Sequence, residues 1–172
     1  MPRNIEIKAR VRDFHVTKRR LEELVDGPVE IISQEDIYFQ SSHGRLKLRI
    51  ISSERAQLIY YDRPDNPGPK RSEYQLSEID APAAMKRILE SACGVRGVVR
   101  KVRHLYMIGL TRVHLDTVEE LDRWFLELEV VLSPDQSDEE GMAIAKALMK
   151  KLDVLEHDLL EGSYLDMIES QT

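Results

Sequence analysis

At 172 residues, 42% hydrophobic and 33% charged, the chain has room for one domain with a substantial core and has the composition of a soluble globular protein. The net charge of −6 argues against a non-specific nucleic-acid binder, and the single cysteine, Cys93, excludes an intrachain disulfide and a cysteine-based zinc site. No apolar run approaches the length of a membrane span, and the charges at Arg3, Glu6, Lys8, Arg10, Arg12 and Asp13 leave no signal-peptide core, so a cytoplasmic location is expected.

The first strand is expected near residues 3–11, where alternation puts Asn4, Glu6, Lys8 and Arg10 on one face and Ile5, Ile7 and Ala9 on the other. A helix follows from about Phe14 to Val25, with Asp13 as N-cap and Gly27-Pro28 as the stop. The period then switches to two, giving strands near 29–40, 45–51 and 56–61. Residues 62–71 carry three prolines and a glycine, which forbid regular structure, and are expected to form a mobile loop. A strand near 71–77 precedes a second helix over Pro82–Cys93, with Pro82 in its first turn and Gly94 after it.

Three more strands are expected near 98–108, 111–117 and 124–132, several close enough to pair as antiparallel hairpins. The third helix opens with the capping-box pattern Ser137-Asp138-Glu139-Glu140 and turns Met142, Ala145, Leu148, Met149 and Leu152 inward. A short last helix carries Tyr164, Leu165 and Ile168. These helical stripes read as core, not as cofactor boxes. No internal repeat appears, so residues 1–172 are expected to form a single domain.

The strands alternate charge, not merely polarity, with apolar residues. Glu6, Lys8 and Arg10 do so first, and Arg45, Lys47 and Arg49 interleave with Leu46, Leu48 and Ile50. Lys101 and Arg103 flank Val102; Arg112, His114 and Asp116 interleave with Val113 and Leu115; Phe125, Glu127 and Glu129 oppose Trp124, Leu126, Leu128 and Val130. From Val95 to Leu115 there are four Arg, one Lys and no carboxylate, and from Asp116 to Glu140 ten carboxylates and one base, Arg123. Complementary charge on neighbouring strands follows.

A half-buried sheet with a solvated face also alternates in this way, strand by strand. Five such strands point further, because like charges at i, i+2 repel unless something anionic lies between them. A sheet curled around a charged lumen, with amphipathic helices outside, satisfies both faces. Clustered Lys and Arg suit a polyphosphate. Carboxylates beside them suit Mg²⁺ or Mn²⁺, which bridge carboxylate to phosphate; ion pairs within the lumen or plain solvation are the alternatives. Of the five histidines only His114 falls on the charged face, and it reads as polar lining. Cys93 has no cue for thiol activation.

Glu-x-Lys on the first strand, GRLKLR at 44–49, RKVR at 100–103, and HLD at 114–116 followed by FLELEV at 125–130 resemble the CYTH superfamily, the triphosphate tunnel metalloenzymes. The order Gln34-x-Asp36-x-Tyr38-Phe39, Gly44 to Arg49 and Val113-His114-Leu115-Asp116-x-Val118-Glu119 is most similar to its class IV adenylyl cyclase branch. The resemblance covers nearly the whole chain, ending with Ser163-Tyr164-Leu165. It implies an α+β fold built on an eight-stranded antiparallel tunnel, two divalent-metal positions and a triphosphate substrate. By that likeness Glu6, Glu127 and Glu129 bind metal with Asp116 beside them, and Lys8 and Asp116 serve catalysis. Lys8, Arg10, Lys47, Arg49, Lys101 and Arg103 hold phosphate oxygens; Lys70 or Arg71 closes over substrate, unless both are simply solvated. Asp36 and Tyr38 match the family as structural residues.

Two departures stand out. The family's first strand reads Glu-x-Glu-x-Lys, and here the first Glu is Asn4, which offers one neutral oxygen in place of an anion. Many relatives carry a lysine where Tyr60 or Tyr61 stands, so one phosphate contact is absent. The functions in view are an adenylyl cyclase, a triphosphatase acting on tripolyphosphate, nucleoside or thiamine triphosphate, a non-catalytic polyphosphate or nucleotide binder, and a partner-binding domain with a solvated charged face. Nothing calls for nucleic acid or a membrane, and the sequence leaves the oligomeric state open.

Overall fold

The computed structural model describes residues 2–25 and 27–171; Met1 and Thr172, the ends of the expected unit, lie outside them. Eight strands close into one antiparallel barrel: β1 (Arg3–Arg10), β2 (Glu30–Phe39), β3 (Arg45–Ile50), β4 (Ala56–Asp62), β5 (Lys70–Ile79), β6 (Val95–Ile108), β7 (Thr111–Val118) and β8 (Arg123–Val131). Their order around the barrel is β1-β5-β4-β3-β2-β6-β7-β8, closing where β8 meets β1. The helices are α1 (Phe14–Leu24), α2 (Pro82–Cys93), α3 (Asp138–Leu152) and α4 (Tyr164–Glu169), with a 3₁₀ turn at Glu156–Asp158.

The caps read from sequence are formed. The Asp13 side chain accepts from Val16 N at 3.0 Å, and Ser137 and Glu140 make a reciprocal capping box at the start of α3. Apolar residues on the outer barrel face meet the helices. Ile5, Ile7, Val113, Leu115, Leu126, Leu128 and Val130 form one cluster with Leu21 of α1 and Ala145, Leu148, Met149 and Leu152 of α3. Ile37, Phe39 and Leu48 meet Met85, Leu89 and Cys93 of α2. Gly141 lets α3 lie close, since a Cβ there would stand 2.6 Å from Leu132 Cδ2 and 2.7 Å from Ile5 Cγ1.

The inner face is charged along its middle, and one of its apolar ends is covered by a helix. There Tyr38, Val99, Val118 and Phe125 point inward and pack on Tyr164 and Leu165 of α4, which closes the barrel. Leu165 sits against Gly97, where an added Cβ would lie 2.5 Å from its Cδ1. Ser163 and Asp166 cap α4 reciprocally, and Asp166 also takes Arg45 at 3.0 Å and Arg96 at 2.8 Å.

The 62–71 stretch is tied down. Arg45 holds Asp65 at 2.8 Å, Arg63 donates to Gly162 O at 2.8 Å, and Lys70 Nζ donates to Asn66 O at 2.6 Å. Among the described residues no helix is long and apolar enough to cross a membrane.

Candidate active site

The strand period delivers the inward residues, and the register decides which of them meet. Asn4, Glu6 and Lys8 of β1, Lys47 and Arg49 of β3, Tyr61 of β4, Lys101 and Arg103 of β6, Arg112 and His114 of β7, and Glu127 and Glu129 of β8 line one cavity of about 540 Å³. Glu6 pairs in register with Glu129, Lys8 with Glu127, Arg112 with Glu129 and His114 with Glu127. Ile32, Ile59, Leu76 and Leu105 also line it, with Gln57. By register Ile32, Leu76 and Leu105 lie away from α4 and Ile59 stands level with Lys47, whereas Lys8 reaches toward α4, with Gly162 O at 3.4 Å and the Tyr164 ring at 4.0 Å. The cavity therefore has a charged depth and an apolar collar.

Two buried carboxylates organise the cations. Asp36, fully buried on β2, accepts from Lys47 Nζ at 2.8 Å, Arg49 Nε at 2.8 Å and Lys101 Nζ at 3.1 Å. Burial alone would raise its pKa, but those three cations outweigh it and hold the carboxyl well below its usual range. Burial and neighbouring Arg49 pull Lys47 down to about 7 despite Asp36. Burial, with Arg103 and Arg49 beside it, lowers Lys101 to about 8.

Asp116, equally buried, accepts from Arg103 Nε at 2.8 Å, Arg103 Nη2 at 2.6 Å and Tyr164 OH at 2.9 Å. Burial acts to raise it and is outweighed by Arg103, so it stays ionised. Its oxygens are committed to these partners, and it stands behind the cavity lining instead of within it.

The acidic wall is His114, Glu127 and Glu129, whose ligand atoms all lie within 4.8 Å of one another. His114 Nδ1 is 3.5 Å from Glu127 Oε2 and 3.8 Å from Glu129 Oε1. Burial and Arg103 lower its pKa, which favours the neutral imidazole a metal requires. Glu127 is held well below its usual range: burial acts the other way, but Lys8 at 3.1 Å, His114 and Arg103 at 2.9 Å prevail. Arg112 Nε holds Glu129 at 2.9 Å. One nitrogen and two carboxylates converging on one point fit a divalent cation, and the imidazole suits Mn²⁺ or another transition ion better than Mg²⁺.

The structure gathers Glu6, Lys8, Lys47, Arg49, Lys101, Arg103, Glu127 and Glu129 in the cavity, as the sequence leads one to expect. Arg10 is not among them: it is exposed, on a small outer cleft with Arg12 and Thr17, because β1 ends there and turns toward α1. Asp116 is close, but as the partner of Arg103. Arg71 points outward to Glu73 and Asp138, so of the two loop cations only Lys70 is buried. Tyr61 lines the cavity, while Tyr60 packs over Gly44.

Three participants escape a reading by strand period: His114 as a ligand, Asp36 as a clamp on three cations, and Arg63. Arg63 is 8% exposed and pairs with Glu6 Oε1 at 2.5 Å. It follows β4 in a proline-rich stretch with no periodicity, and the only signal for it is a lone cation at a strand end.

The CYTH domain family model matches residues 2–164. No curated protein matches the sequence. Among solved structures, the PH1012 protein from Pyrococcus horikoshii OT3 is 28% identical with a TM-score of 0.81, over 95% of this chain and 98% of that one. A candidate adenylate cyclase from Vibrio parahaemolyticus is 17% identical with a TM-score of 0.77, over 97% of each chain. HpAC1 from Hippeastrum, a candidate adenylyl cyclase with a dominant triphosphatase activity, is 16% identical with a TM-score of 0.66, over 98% of this chain and 96% of that one. The likeness to these last two is one of fold.

Proposed function

The chain belongs to the CYTH domain family, and from that membership we propose that it is a divalent-metal-dependent enzyme that processes a nucleoside triphosphate within the barrel, as an adenylyl cyclase. The observation that carries this reading is the pairing, in one cavity, of Lys8, Lys47, Arg49, Lys101 and Arg103 with the wall of His114, Glu127 and Glu129. Such a set binds a polyphosphate through charge-assisted hydrogen bonds and spreads positive charge where negative charge develops during phosphoryl transfer. Asp36 and Asp116 hold the long cationic side chains in place before substrate arrives, so little ordering remains at the moment of reaction.

A cation held by His114, Glu127 and Glu129 would supply Lewis-acid polarisation of a phosphoryl oxygen. The protein's own groups do the rest. Lys8, Lys47 and Lys101 each keep ammonium donors beyond their present partners, and Arg103 and Arg49 keep guanidinium donors.

The collar favours an organic triphosphate over inorganic tripolyphosphate, because Ile32, Ile59, Leu76 and Leu105 offer apolar surface that a bare polyphosphate does not use. A nucleotide with its base at the collar and its terminal phosphates on the deep cations leaves ribose and α-phosphorus between the two. Attack there by the ribose 3′-oxygen breaks the α–β bridging P–O bond, giving cyclic AMP and a pyrophosphate already seated on the cations. Hydrolysis of the terminal phosphoryl group would use the same cations and is the competing outcome.

The test is product analysis with purified protein, ATP, tripolyphosphate and thiamine triphosphate, each with Mn²⁺ or Mg²⁺. Cyclic AMP and pyrophosphate from ATP, faster with Mn²⁺, is the expected result. Orthophosphate release would replace cyclase with triphosphatase, and metal-independent binding without turnover would overturn both. Glu127→Ala should lose turnover by about a hundredfold or more while the fold is retained, as expected for a group stabilising transition-state charge.

A further inference from the structure

Glu6 is the carboxylate of the lumen that the His114, Glu127 and Glu129 group leaves out, and its surroundings differ from theirs. Its oxygen meets the Arg63 guanidinium at 2.5 Å, and both side chains are largely withdrawn from water. Arg63 is fixed from behind by Gly162 O at 2.8 Å and faces the Tyr61 ring at 5.8 Å. Two residues before Glu6 on the same face, Asn4 is 4% exposed with its Oδ1 buried and without a hydrogen-bond partner. In register across from Glu6 stands Lys70, 2% exposed. Lys8 is the next inward residue along β1.

The corner thus holds Glu6, one neutral amide oxygen and three cations, with Glu129 of β8 in register across from Glu6 but held by Arg112 at 2.9 Å. Beyond Glu129, a divalent ion here would find one carboxylate and one amide oxygen and no imidazole, fewer donors than the His114, Glu127 and Glu129 group offers. The two-metal arrangement implied by the family does not fit the residues at this position. We propose that the lumen takes a single divalent cation, at His114, Glu127 and Glu129, and that the Arg63 guanidinium permanently occupies the second cation position beside Asn4 and Glu6.

Arg63 also answers the absent lysine at Tyr61. Its side chain lines the same cavity as Lys8 and Lys101, so its positive charge faces the same ligand. One side chain neutralises Glu6 and returns a positive charge to the wall that Tyr61 left neutral. This rests on the reading of the lumen as a metal and triphosphate site, and the measurement below separates the two.

The test is Mn²⁺ stoichiometry, read from the electron paramagnetic resonance signal of free Mn²⁺ in titrations of the full chain without nucleotide. The native protein should bind one Mn²⁺ per chain. Glu6→Gln should leave that value at one, and Glu127→Gln should weaken the site at least tenfold, in line with the losses that follow disruption of a metal's ligand surroundings. Arg63→Lys should remain at one, and Asn4→Glu combined with Arg63→Met should gain a second Mn²⁺.

Circular dichroism checks that each variant is folded; if the double variant is not, Arg63→Met alone is read, and it should gain the second ion more weakly. Two Mn²⁺ in the native protein, or one in every folded Arg63→Met variant, would overturn the inference while leaving the proposed function standing. No Mn²⁺ in the native protein would overturn the metal-dependent function itself.

Discussion

Asp36 shows what a single buried residue does for this lumen. It is wholly enclosed, and three cations from two other strands converge on it, so removing its charge strands them in a medium that solvates them poorly. Asp36→Asn keeps the shape and should cost about 3–5 kcal/mol of stability, the usual penalty for breaking a buried ion pair from one side. Tripolyphosphate supplies the missing negative charge, so it should raise the melting temperature of this variant more than that of the native protein. An equal rise in both would show that Asp36 does not balance the phosphate-binding cations.

The lysines it holds also set a pH dependence. Lys47 is drawn down to about 7 and Lys101 to about 8, first by burial and then by their cationic neighbours. Below about pH 6.5 both are protonated, and as the pH rises through 7 to 8 the free protein sheds those charges. A bound triphosphate restores them, so binding at pH 8 should take up nearly one proton at Lys47 and about half of one at Lys101, and binding at pH 6 almost none from these groups. Calorimetry in two buffers of different ionisation enthalpy reads this directly. Proton release at pH 8 would contradict the assignment.

At the scale of elements, α3 and the barrel meet through a glycine, and two effects compete there. Alanine at Gly141 would relieve the helix of glycine's entropy, a gain of about 0.5–1 kcal/mol. Its Cβ would also press on Leu132 and Ile5, both buried, and overpacking of that kind costs about 1–3 kcal/mol. The clash should prevail, leaving Gly141→Ala less stable by about 1 kcal/mol in denaturant titration; a more stable variant would mean that α3 can step back from β1.

The strands and outer helices were legible in the sequence because each follows one period and a recognisable cap, as at Asp13 and Ser137. What was not legible depends on register across long sequence distances. Arg103 reaches Asp116 and Glu127 through β7 and β8, and Lys101 reaches Asp36 across β2, so period alone named the inward residues without saying which pairs would neutralise each other. Arg63 lies beyond the end of β4, where no period operates. Arg10 shows the reverse error: it is still paired with Phe125 at the end of β1, yet it is exposed beside α1 instead of lining the cavity.

The molecule as a whole is ordered by one closure. Because β1 sits between β5 and β8, the opening residues of the chain find their second neighbour only in Arg123–Val131. During synthesis, then, β1, made before the other barrel strands, is among the last of them to be seated. Until β8 has left the ribosome, Ile5 and Ile7 lack the strand that completes their side of the wall, and Lys8 of β1 and Arg103 of β6 lack Glu127 of β8. Folding of this topology is dominated by contacts between distant parts of the chain, which makes it slow. For that interval the nascent protein presents an unpaired sheet edge of the kind that invites association with other chains. The same last step that completes the charged lumen also removes that edge, so the chain becomes able to bind its anion and becomes safe from its neighbours in a single event.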